Sequence, residues 1–276
     1  MNLVATWARQ HVAQDVFRRF KQALDAAAVR VLPVKGIVTG RLLYDDPAER
    51  PIPDIDVRIA PRDLRTVLAI ARGRGWRPRT HSPRLYEVVL EVDGWEIDVE
   101  CALGPPGLCA IGVEQALARA RSIDQPFPHL EPELHDHALI LFLNSFKDGL
   151  RPMPWSLEDL RRIVRQSAFD ASVLIERARE GRVLTALWIV ADWLAENVGA
   201  VEWRAVRERI GPRPPSARVA GVYRFVEKRG WSGKLGLVAT ATSSDAAWRS
   251  AAGLALAALG IARSRLARAA GQTEAD

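Results

Sequence analysis

Cysteine and long apolar runs are scarce in this chain of 276 residues. Its two cysteines, Cys101 and Cys109, lack CxxC spacing and are too few for a disulfide framework. Two isolated thiols are typical of a reducing cytosol, so we expect a cytoplasmic protein. Residues 1–10 lack the basic start and the apolar run of a signal peptide. The apolar stretch 251–262 is shorter than the roughly 18 residues needed to cross a bilayer, and we interpret it as a buried helix.

No repeat or low-complexity tract points away from an ordinary globular protein. Hydrophobic residues make up 48% and charged residues 26%, which excludes a disordered or fibrous class. The net charge is +6 and the sequence pI about 9.8. A basic balance favours polyanionic partners such as nucleotides, RNA or acidic protein surfaces, but does not select among them. Arginine-rich usage can equally reflect genome composition.

The first half of the sequence alternates between helical and extended patterns. Apolar spacing predicts a helix over 8–28, and the segment Val29–Val34 is typical of a strand. A short helix is expected over Ile37–Tyr44, ended by the Asp45-Asp46-Pro47 turn signal. Pro61 opens another predicted helix through Arg72, closed by two glycines, Gly73 and Gly75.

Two segments with period-2 alternation predict strands that carry acidic residues. Asp54–Ile59 alternates strictly, which is typical of a half-buried strand. The segments 85–92 and 95–101 predict a hairpin, because Asp93-Gly94 is a favoured type I′ turn pair. On the second arm, Asp98 lies on the polar face and could pair beside the Asp54 strand.

From about residue 130 only helical patterns remain. The predicted helices lie at 133–147, 156–167, 170–180, 182–198, 202–209, 215–228 and 244–268. We therefore expect an α/β domain with an N-terminal helix over 1–128 and an all-helical domain over 129–276.

The spacing of Asp54 and Asp56 suggests a metal site for phosphoryl-group chemistry. Residues two apart on a strand project from the same face, with Cα atoms roughly 6–7 Å apart. Such carboxylates can bind a pair of divalent ions, and Mg²⁺ suits an all-oxygen site completed by substrate phosphates. Taken alone, an Asp-x-Asp triplet is more often a pair of solvated acids at a strand edge.

Neighbouring residues strengthen the metal hypothesis. Lys35 and Gly36 lie where a strand turns into a helix, so that the glycine backbone and the helix N-terminus can approach phosphate oxygens. Arg50 precedes the acidic pair and is suited to meet a triphosphate. Asp98 would supply a third carboxylate. Each feature also has an ordinary interpretation: a strand-to-helix turn for the glycine and a polar hairpin face for Asp98.

With these residues, the sequence resembles the poorly characterised nucleotidyltransferase-like family of the DNA polymerase beta superfamily. Members typically contain "KG", a short helix, "LY-x-D/N-P-x-x-R", then "D-I-D-L" and a later acidic strand. The corresponding residues here are Val34-Lys35-Gly36, Leu43–Pro47 with Arg50, Asp54-Ile55-Asp56-Val57, and Trp95–Val99 around Asp98. The pattern holds from about residue 30 to 103, and a looser match includes Asp159 in Trp155–Leu160.

The resemblance implies metal-dependent transfer of a nucleotidyl group, with pyrophosphate leaving. It implies a polymerase-beta-type α+β core, made of a small mixed sheet with helices, and a following helical domain that closes over the nucleotide. Asp54, Asp56 and Asp98 would be the catalytic metal ligands for Mg²⁺ or Mn²⁺, and Asp98 would also help to deprotonate the attacking hydroxyl. Lys35, Gly36 and Arg50 would contact the nucleoside triphosphate, ATP among them.

Several residues depart from that pattern or invite a separate interpretation. Arg58 stands where an aliphatic residue is usual, which predicts a more exposed strand, and Glu100-Cys101 replaces the usual His and Trp. His135 and His137 are two apart on a helix and do not share a face, so we expect a surface or capping role for them. Asp159 is expected in the first turn of its helix, where an acid suits the dipole.

Three functions of different kinds remain open from the sequence. The first is an enzyme that moves a nucleotidyl group onto a small molecule, a protein or an RNA. The second is a catalytically silent nucleotide-binding or interaction module that binds the triphosphate with metal but transfers nothing. The third is a nucleic-acid-binding protein whose affinity falls steeply with salt even without Asp54 and Asp56. A sugar transferase fits less well, because no long nucleotide-sugar domain precedes the motif.

Overall fold

The computed structural model describes residues 3–82, 87–105, 107–151, 153–216, 221, 243–249, 251–253 and 255. These residues form two compact units. The first contains residues up to 102 together with 112–133, and the second contains 103–111 and the described residues from 134 onward.

The first unit is a mixed α+β structure. Its helices are α1 (Leu3–Asp25), α2 (Gly36–Leu43), α3 (Leu64–Arg74) and α4 (Val113–Arg119). Its strands are β1 (Val31–Val34), β2 (Ile55–Ile59), β3 (Arg77–Ser82), β4 (Glu87–Val92), β5 (Trp95–Glu100), β6 (Arg121–Ile123) and β7 (His129–Glu131). Two 3-10 turns, Pro47–Glu49 and Pro61–Asp63, precede β2 and α3.

Five of the strands form one mixed sheet in the order β1-β2-β5-β4-β3. The central strands β2 and β5 run parallel, whereas the β1–β2, β5–β4 and β4–β3 pairs are antiparallel. The expected hairpin is present, with positive φ at Asp93 (51°) and Gly94 (80°), as a type I′ turn requires. Residues 85 and 86 of its first predicted arm lie outside the described residues.

One face of this sheet carries the hydrophobic core. Ile55, Val57 and Ile59 of β2 are fully buried together with Ile97 and Val99 of β5. Aromatic and aliphatic side chains of α1 and α3 join the same cluster. The apolar residues of the alternating strands therefore face the helices, and the acidic residues lie on the other face.

Several boundaries differ from the sequence predictions for local reasons. The helix predicted from Pro61 starts as a 3-10 turn and becomes α3 only at Leu64. It ends at Gly75, whose φ of 72° provides the left-handed cap, whereas Gly73 lies inside the helix. The sequence patterns did not predict β3, α4, β6 or β7, because these elements are short or lack clear alternation.

The second unit is helical in the residues that are described. Its helices are α5 (Leu134–Lys147), α6 (Pro154–Ile163), α7 (Ala171–Glu180), α8 (Leu184–Asn197) and α9 (Val201–Ile210). They correspond to the five predicted helices from 133 to 209. Helix α5 packs against α6, α7 and α8, and α9 packs against α7 and α8.

Two further helix predictions fall largely outside the described residues. The predicted helix 215–228 is described only in part, and so is 244–268, of which residues 247–249, 251–253 and 255 are helical. Gly253 is buried there, but Ala251, Ala252 and Ala255 are exposed, so the predicted burial of this stretch is wrong for those three alanines. Within the described ranges, no helix has the length and apolarity needed to span a membrane.

Candidate active site

The pairing of β2 with β5 aligns two acidic residues. Asp56 and Asp98 are direct Cα partners in the parallel register, which confirms that the two acidic strands are neighbours. Both lie on the polar face, opposite Ile55 and Ile97. Asp56 is buried, with 3% of its surface exposed, whereas Asp98 is partly exposed. The register therefore brings two carboxylates to adjacent positions on one face of the sheet.

The third acid, Asp54, stands just before the first residue of β2 and is partly exposed. Burial, together with the charge of Asp56, raises the pKa of Asp54 to about 6. Burial also raises the pKa of Asp98 to about 7, with additional contributions from Asp56 and Asp54. Because the charge of Asp56 acts on both Asp54 and Asp98, and that of Asp54 acts on Asp98, the three carboxylates share one electrostatic environment.

Lys35 supplies a cation to this group of acids. Its Nζ lies 2.5 Å from Asp56 Oδ1, and only 17% of the lysine side chain is exposed. Burial by itself would lower the pKa of Lys35, but the charges of Asp56 and Glu100 outweigh it and raise that pKa. The lysine is also the residue before α2 and has φ 54° and ψ −135°, a backbone conformation that costs energy for any residue with a Cβ. The strain is located where the strand turns into the helix.

Gly36 allows Arg50 to lie against the start of α2. A Cβ built on Gly36 would be 3.3 Å from Arg50 Nη1 and 3.6 Å from its Cζ. Arg50 is buried, with 3% of its surface exposed. One turn later, a Cβ on Gly40 would be 3.3 Å from Gln10 Nε2 and 3.5 Å from the Pro47 carbonyl oxygen. The two glycines thus let the segment that carries Arg50 approach α2 closely.

A second ion pair lies next to the carboxylates and was not predicted from the sequence. Arg58 and Glu100 are Cα partners on β2 and β5, and Arg58 Nη2 lies 2.8 Å from Glu100 Oε2. Both side chains are buried, with 2% and 4% exposed. The prediction that Arg58 makes its strand more exposed is therefore wrong, because all five residues of β2 are buried. Arg58 and Glu100 both depart from the family pattern, and each neutralises the charge of the other.

The donor chemistry of Asp54, Asp56 and Asp98 fits Mg²⁺ or Mn²⁺. All three offer carboxylate oxygens, and burial together with mutual repulsion leaves a concentration of negative charge that a dication would neutralise. Within the described ranges, no group of three or more His, Cys, Asp or Glu side chains is arranged to hold a metal ion by itself. Magnesium in sites of this type takes further oxygens from water and substrate phosphates, so a closed protein cage is not required.

Two sequence expectations in the helical unit require correction. His135 and His137 are buried rather than on the surface, with 6% and 0% exposed. His135 Nε2 accepts a hydrogen bond from the backbone N–H of Asp170, the residue that caps α7, at 2.9 Å. Asp159 lies in the second turn of α6 and is fully buried, so an interaction with the helix dipole does not explain it.

The sequence pattern of a family described as "Uncharacterised nucleotidyltransferase" matches residues 2–199, which include all three acids and Lys35, Gly36 and Arg50. The chain belongs to this family. The resemblance seen in the "KG" and "DID" motifs is confirmed, and so is the enzyme class, a transferase of nucleotidyl groups. The small mixed sheet and the many helices confirm the expected α+β class and are consistent with a polymerase-beta-type core.

Solved structures and curated proteins add little beyond this assignment. One similar solved structure is the antibiotic-resistance factor ANT(2'')-Ia, whose solution structure is described as revealing substrate-regulated conformation dynamics. It is 15% identical, the alignment covers 78% of this chain and 95% of that chain, and the TM-score is 0.42. No curated protein matches the chain.

Proposed function

We propose that this protein transfers a nucleoside monophosphate group from a nucleoside triphosphate to an acceptor hydroxyl, with Asp54, Asp56 and Asp98 as the ligands of Mg²⁺ or Mn²⁺. The observation that carries the proposal is the parallel register that makes Asp56 and Asp98 direct partners, with Asp54 electrostatically coupled to both. A divalent cation held by these acids would neutralise charge on the triphosphate and stabilise the charge that develops during transfer.

In this proposal the acceptor oxygen attacks the α-phosphorus of the triphosphate. The bond from that phosphorus to the bridging oxygen breaks, and pyrophosphate leaves with the bonding electrons. The proton of the attacking hydroxyl passes to Asp98, whose carboxylate is partly exposed and therefore reachable by an acceptor. Asp56 is buried and is suited to a fixed ligand position rather than to proton exchange.

Lys35, Gly36 and Arg50 are the proposed contacts of the triphosphate. Gly36 begins α2, whose first backbone N–H groups offer hydrogen-bond donors to phosphate oxygens. Arg50 lies against Gly36 and adds a guanidinium that can donate two parallel hydrogen bonds. Lys35 adds an ammonium group between the acids and the helix start. Together they supply positive charge beside the three carboxylates, as a metal-bound triphosphate requires.

The acceptor belongs to one of three classes: a small molecule, a protein or an RNA. The two cysteines are free, which agrees with a reaction in the reducing environment of the cytoplasm. A second function, a silent nucleotide-binding or interaction module, is favoured by one observation, the ion pair between Lys35 and Asp56. That pair partly neutralises a proposed metal ligand, so a module of this type would bind nucleotides without transferring them.

The two functions differ in the fate of labelled nucleotide. Purified protein is incubated with a lysate of the source organism and with α-labelled or γ-labelled nucleotides, each with Mg²⁺ and with Mn²⁺. If the protein is an enzyme, we expect the α label to become attached to a lysate component and the γ label to be released in pyrophosphate. The Asp54→Asn/Asp56→Asn variant is expected to attach none. Metal-dependent triphosphate binding without attachment would favour the silent module, and absence of both would contradict the nucleotidyltransferase proposal.

A further inference from the structure

The strand register holds Asp56 and Asp98, but it does not hold Asp54. Strand β2 begins at Ile55, so Asp54 is outside the paired residues of the sheet. The residues before it, Pro51-Ile52-Pro53, contain two prolines, which have no backbone N–H to donate. The position of Asp54 therefore depends on how the carbonyl groups of this segment are held.

Side-chain donors occupy every carbonyl oxygen of residues 50–53. Gln10 Nε2 donates to the Arg50 carbonyl at 2.7 Å, and Arg50 Nη1 donates to the Pro51 carbonyl. Arg9 donates to the other two carbonyl oxygens, from Nε to Ile52 at 2.8 Å and from Nη2 to Pro53 at 3.0 Å. A single planar guanidinium thus fixes two successive peptide groups next to Asp54.

The guanidinium of Arg9 is itself held in place by β5. Its Cζ lies 4.6 Å from the centroid of the Trp95 ring, in a cation–π arrangement. Trp95 is the first residue of β5, the strand that carries Asp98. Arg9 therefore links the segment before Asp54 to the strand of Asp98, although Arg9 belongs to α1 and is exposed to solvent.

We propose that Arg9 is a positioning residue of the nucleotidyl-transfer site, which keeps Asp54 within reach of a metal shared with Asp56 and Asp98. This inference rests on the proposed function. Arg9 lies on the carbonyl side of the loop and acts through the backbone rather than by touching the substrate. Loss of its two hydrogen bonds releases the Ile52–Pro53 peptide groups, and Asp54 with them, while the strand register continues to hold the other two acids.

The test compares Mn²⁺ binding by the wild type with binding by Arg9→Met, Arg9→Lys and Arg18→Met, measured by electron paramagnetic resonance without nucleotide. Arg18 is the matched control, because it lies on the same helix and forms an ion pair with Asp15 within α1. Arg9→Met is expected to weaken Mn²⁺ binding about tenfold, as is usual when a residue that orients a metal ligand is lost. The Mn²⁺ affinity of Arg9→Lys should lie between those of the wild type and Arg9→Met, because lysine lacks the planar fork of arginine. The Mn²⁺ affinity of Arg18→Met should equal that of the wild type.

Two further readouts separate positioning from a contribution to stability alone. Arg9→Met should lower kcat at saturating nucleotide more than it changes the KM for nucleotide, and its Tm should stay within a few degrees of the Arg18→Met value. Wild-type Mn²⁺ affinity in folded Arg9→Met would overturn the inference. If Arg9→Met does not fold, the Mn²⁺ affinity of folded Arg9→Lys is the test, and a wild-type value there would overturn the inference. A wild-type protein that binds no Mn²⁺ would overturn the proposed function itself, and the inference with it.

Discussion

Lys35 is the residue at which the proposed metal and triphosphate contacts meet. Its ammonium group lies on Asp56, and its backbone has the strained conformation that begins α2. Without metal, the lysine partly neutralises the acids. With metal bound, the same positive charge would be free to contact phosphate oxygens. One side chain is therefore expected to affect metal binding and nucleotide binding in opposite directions.

Lys35→Met tests this double role while keeping a Cβ at the strained position. Removal of the cation should strengthen binding of Mn²⁺ to the nucleotide-free protein, because Asp56 loses its competing partner. It should also raise the KM for nucleoside triphosphate roughly tenfold, the size expected for one lost charge-assisted contact. Titration calorimetry and initial rates measure the two effects. Lys21→Met is the control, since Lys21 pairs with Asp25 on α1. A parallel loss of both affinities would contradict the role proposed for Lys35.

Arg58 shows what sequence patterns miss at the residue scale. A charged residue on the polar face of an alternating strand is expected to be exposed, and this one is buried. Its partner Glu100 belongs to a strand distant in sequence, and only the parallel register of β2 with β5 brings the two side chains together. The strand positions of Asp56 and Asp98 were predictable because motif and alternation agree, whereas Asp54 lies just before β2 rather than on it. The Arg58–Glu100 pair was not, because strand register cannot be read from either segment alone.

The same pair yields a prediction about stability. Arg58→Met alone leaves Glu100 buried without its ion-pair partner, and a loss of this kind typically costs about 3–5 kcal/mol. The double variant Arg58→Met/Glu100→Gln should be more stable than Arg58→Met, because the unpaired charge has been removed. Urea denaturation of the wild type, the single variant and the double variant checks this order. A double variant less stable than the single one would show that Glu100 has other stabilising contacts.

At the scale of elements, α2 and the turn before β2 form the proposed triphosphate pocket. Helix α2 is short, with glycines one turn apart facing Gln10 and Arg50. The motif predicted this helix and its glycine correctly, because a strand followed by Gly is a strong local signal. It did not predict that Gln10 of α1 holds the same segment, since contacts between distant elements leave no local pattern. Prolines at 51 and 53 were the available signal that side chains must anchor this segment.

Gly36→Ala tests the close approach of Arg50 to α2. The added Cβ would lie 3.3 Å from Arg50 Nη1, so the guanidinium must move by a few tenths of an ångström. We expect a severalfold higher KM for nucleotide with little change in Tm, because the displaced group is the end of a flexible side chain. Gly73→Ala is the matched control, since a Cβ there meets nothing within 4 Å. It should keep the wild-type KM and stabilise α3 by up to about 1 kcal/mol. Equal KM values in both variants would contradict the proposed role of this contact.

At the scale of the whole molecule, net charge and site charge have opposite signs. The chain carries a net charge of +6, whereas the site gathers three acids whose charges repel one another. Such an arrangement lowers the stability of the metal-free protein in return for function. The division into an N-terminal nucleotidyltransferase domain, 1–128, and a helical domain, 129–276, stays a prediction, as does closure of the helical domain over the nucleotide.

The cost to stability should depend on pH. The pKa of Asp98 is raised from 3.8 to about 7 and that of Asp54 to about 6. The folded metal-free protein therefore holds these protons more tightly than the unfolded chain. This contribution to stability is complete below pH 3.8 and is lost as pH rises through about 7.

Asp98→Asn should consequently have a higher Tm than the wild type in the presence of EDTA. The difference should grow between pH 5 and pH 8, each 1 kcal/mol corresponding to about 2–4 °C. Addition of Mg²⁺ should reduce it, because only the wild type retains all three acids. Differential scanning fluorimetry of the wild type, Asp98→Asn and Asp45→Asn measures the trend, with exposed Asp45 as the control. A pH-independent difference would show that the raised pKa of Asp98 has no effect on folding.

The most direct test of the central claim is the metal-dependent attachment of α-labelled nucleotide to an acceptor by wild type, Asp56→Asn and Asp45→Asn proteins. We expect attachment by the wild type and by Asp45→Asn, with release of pyrophosphate and with dependence on Mg²⁺ or Mn²⁺. For Asp56→Asn we expect a rate at least about a hundredfold lower, the scale of loss expected when a buried metal ligand is neutralised. Attachment that proceeds equally well with Asp56→Asn would show that the three acids do not form the catalytic site.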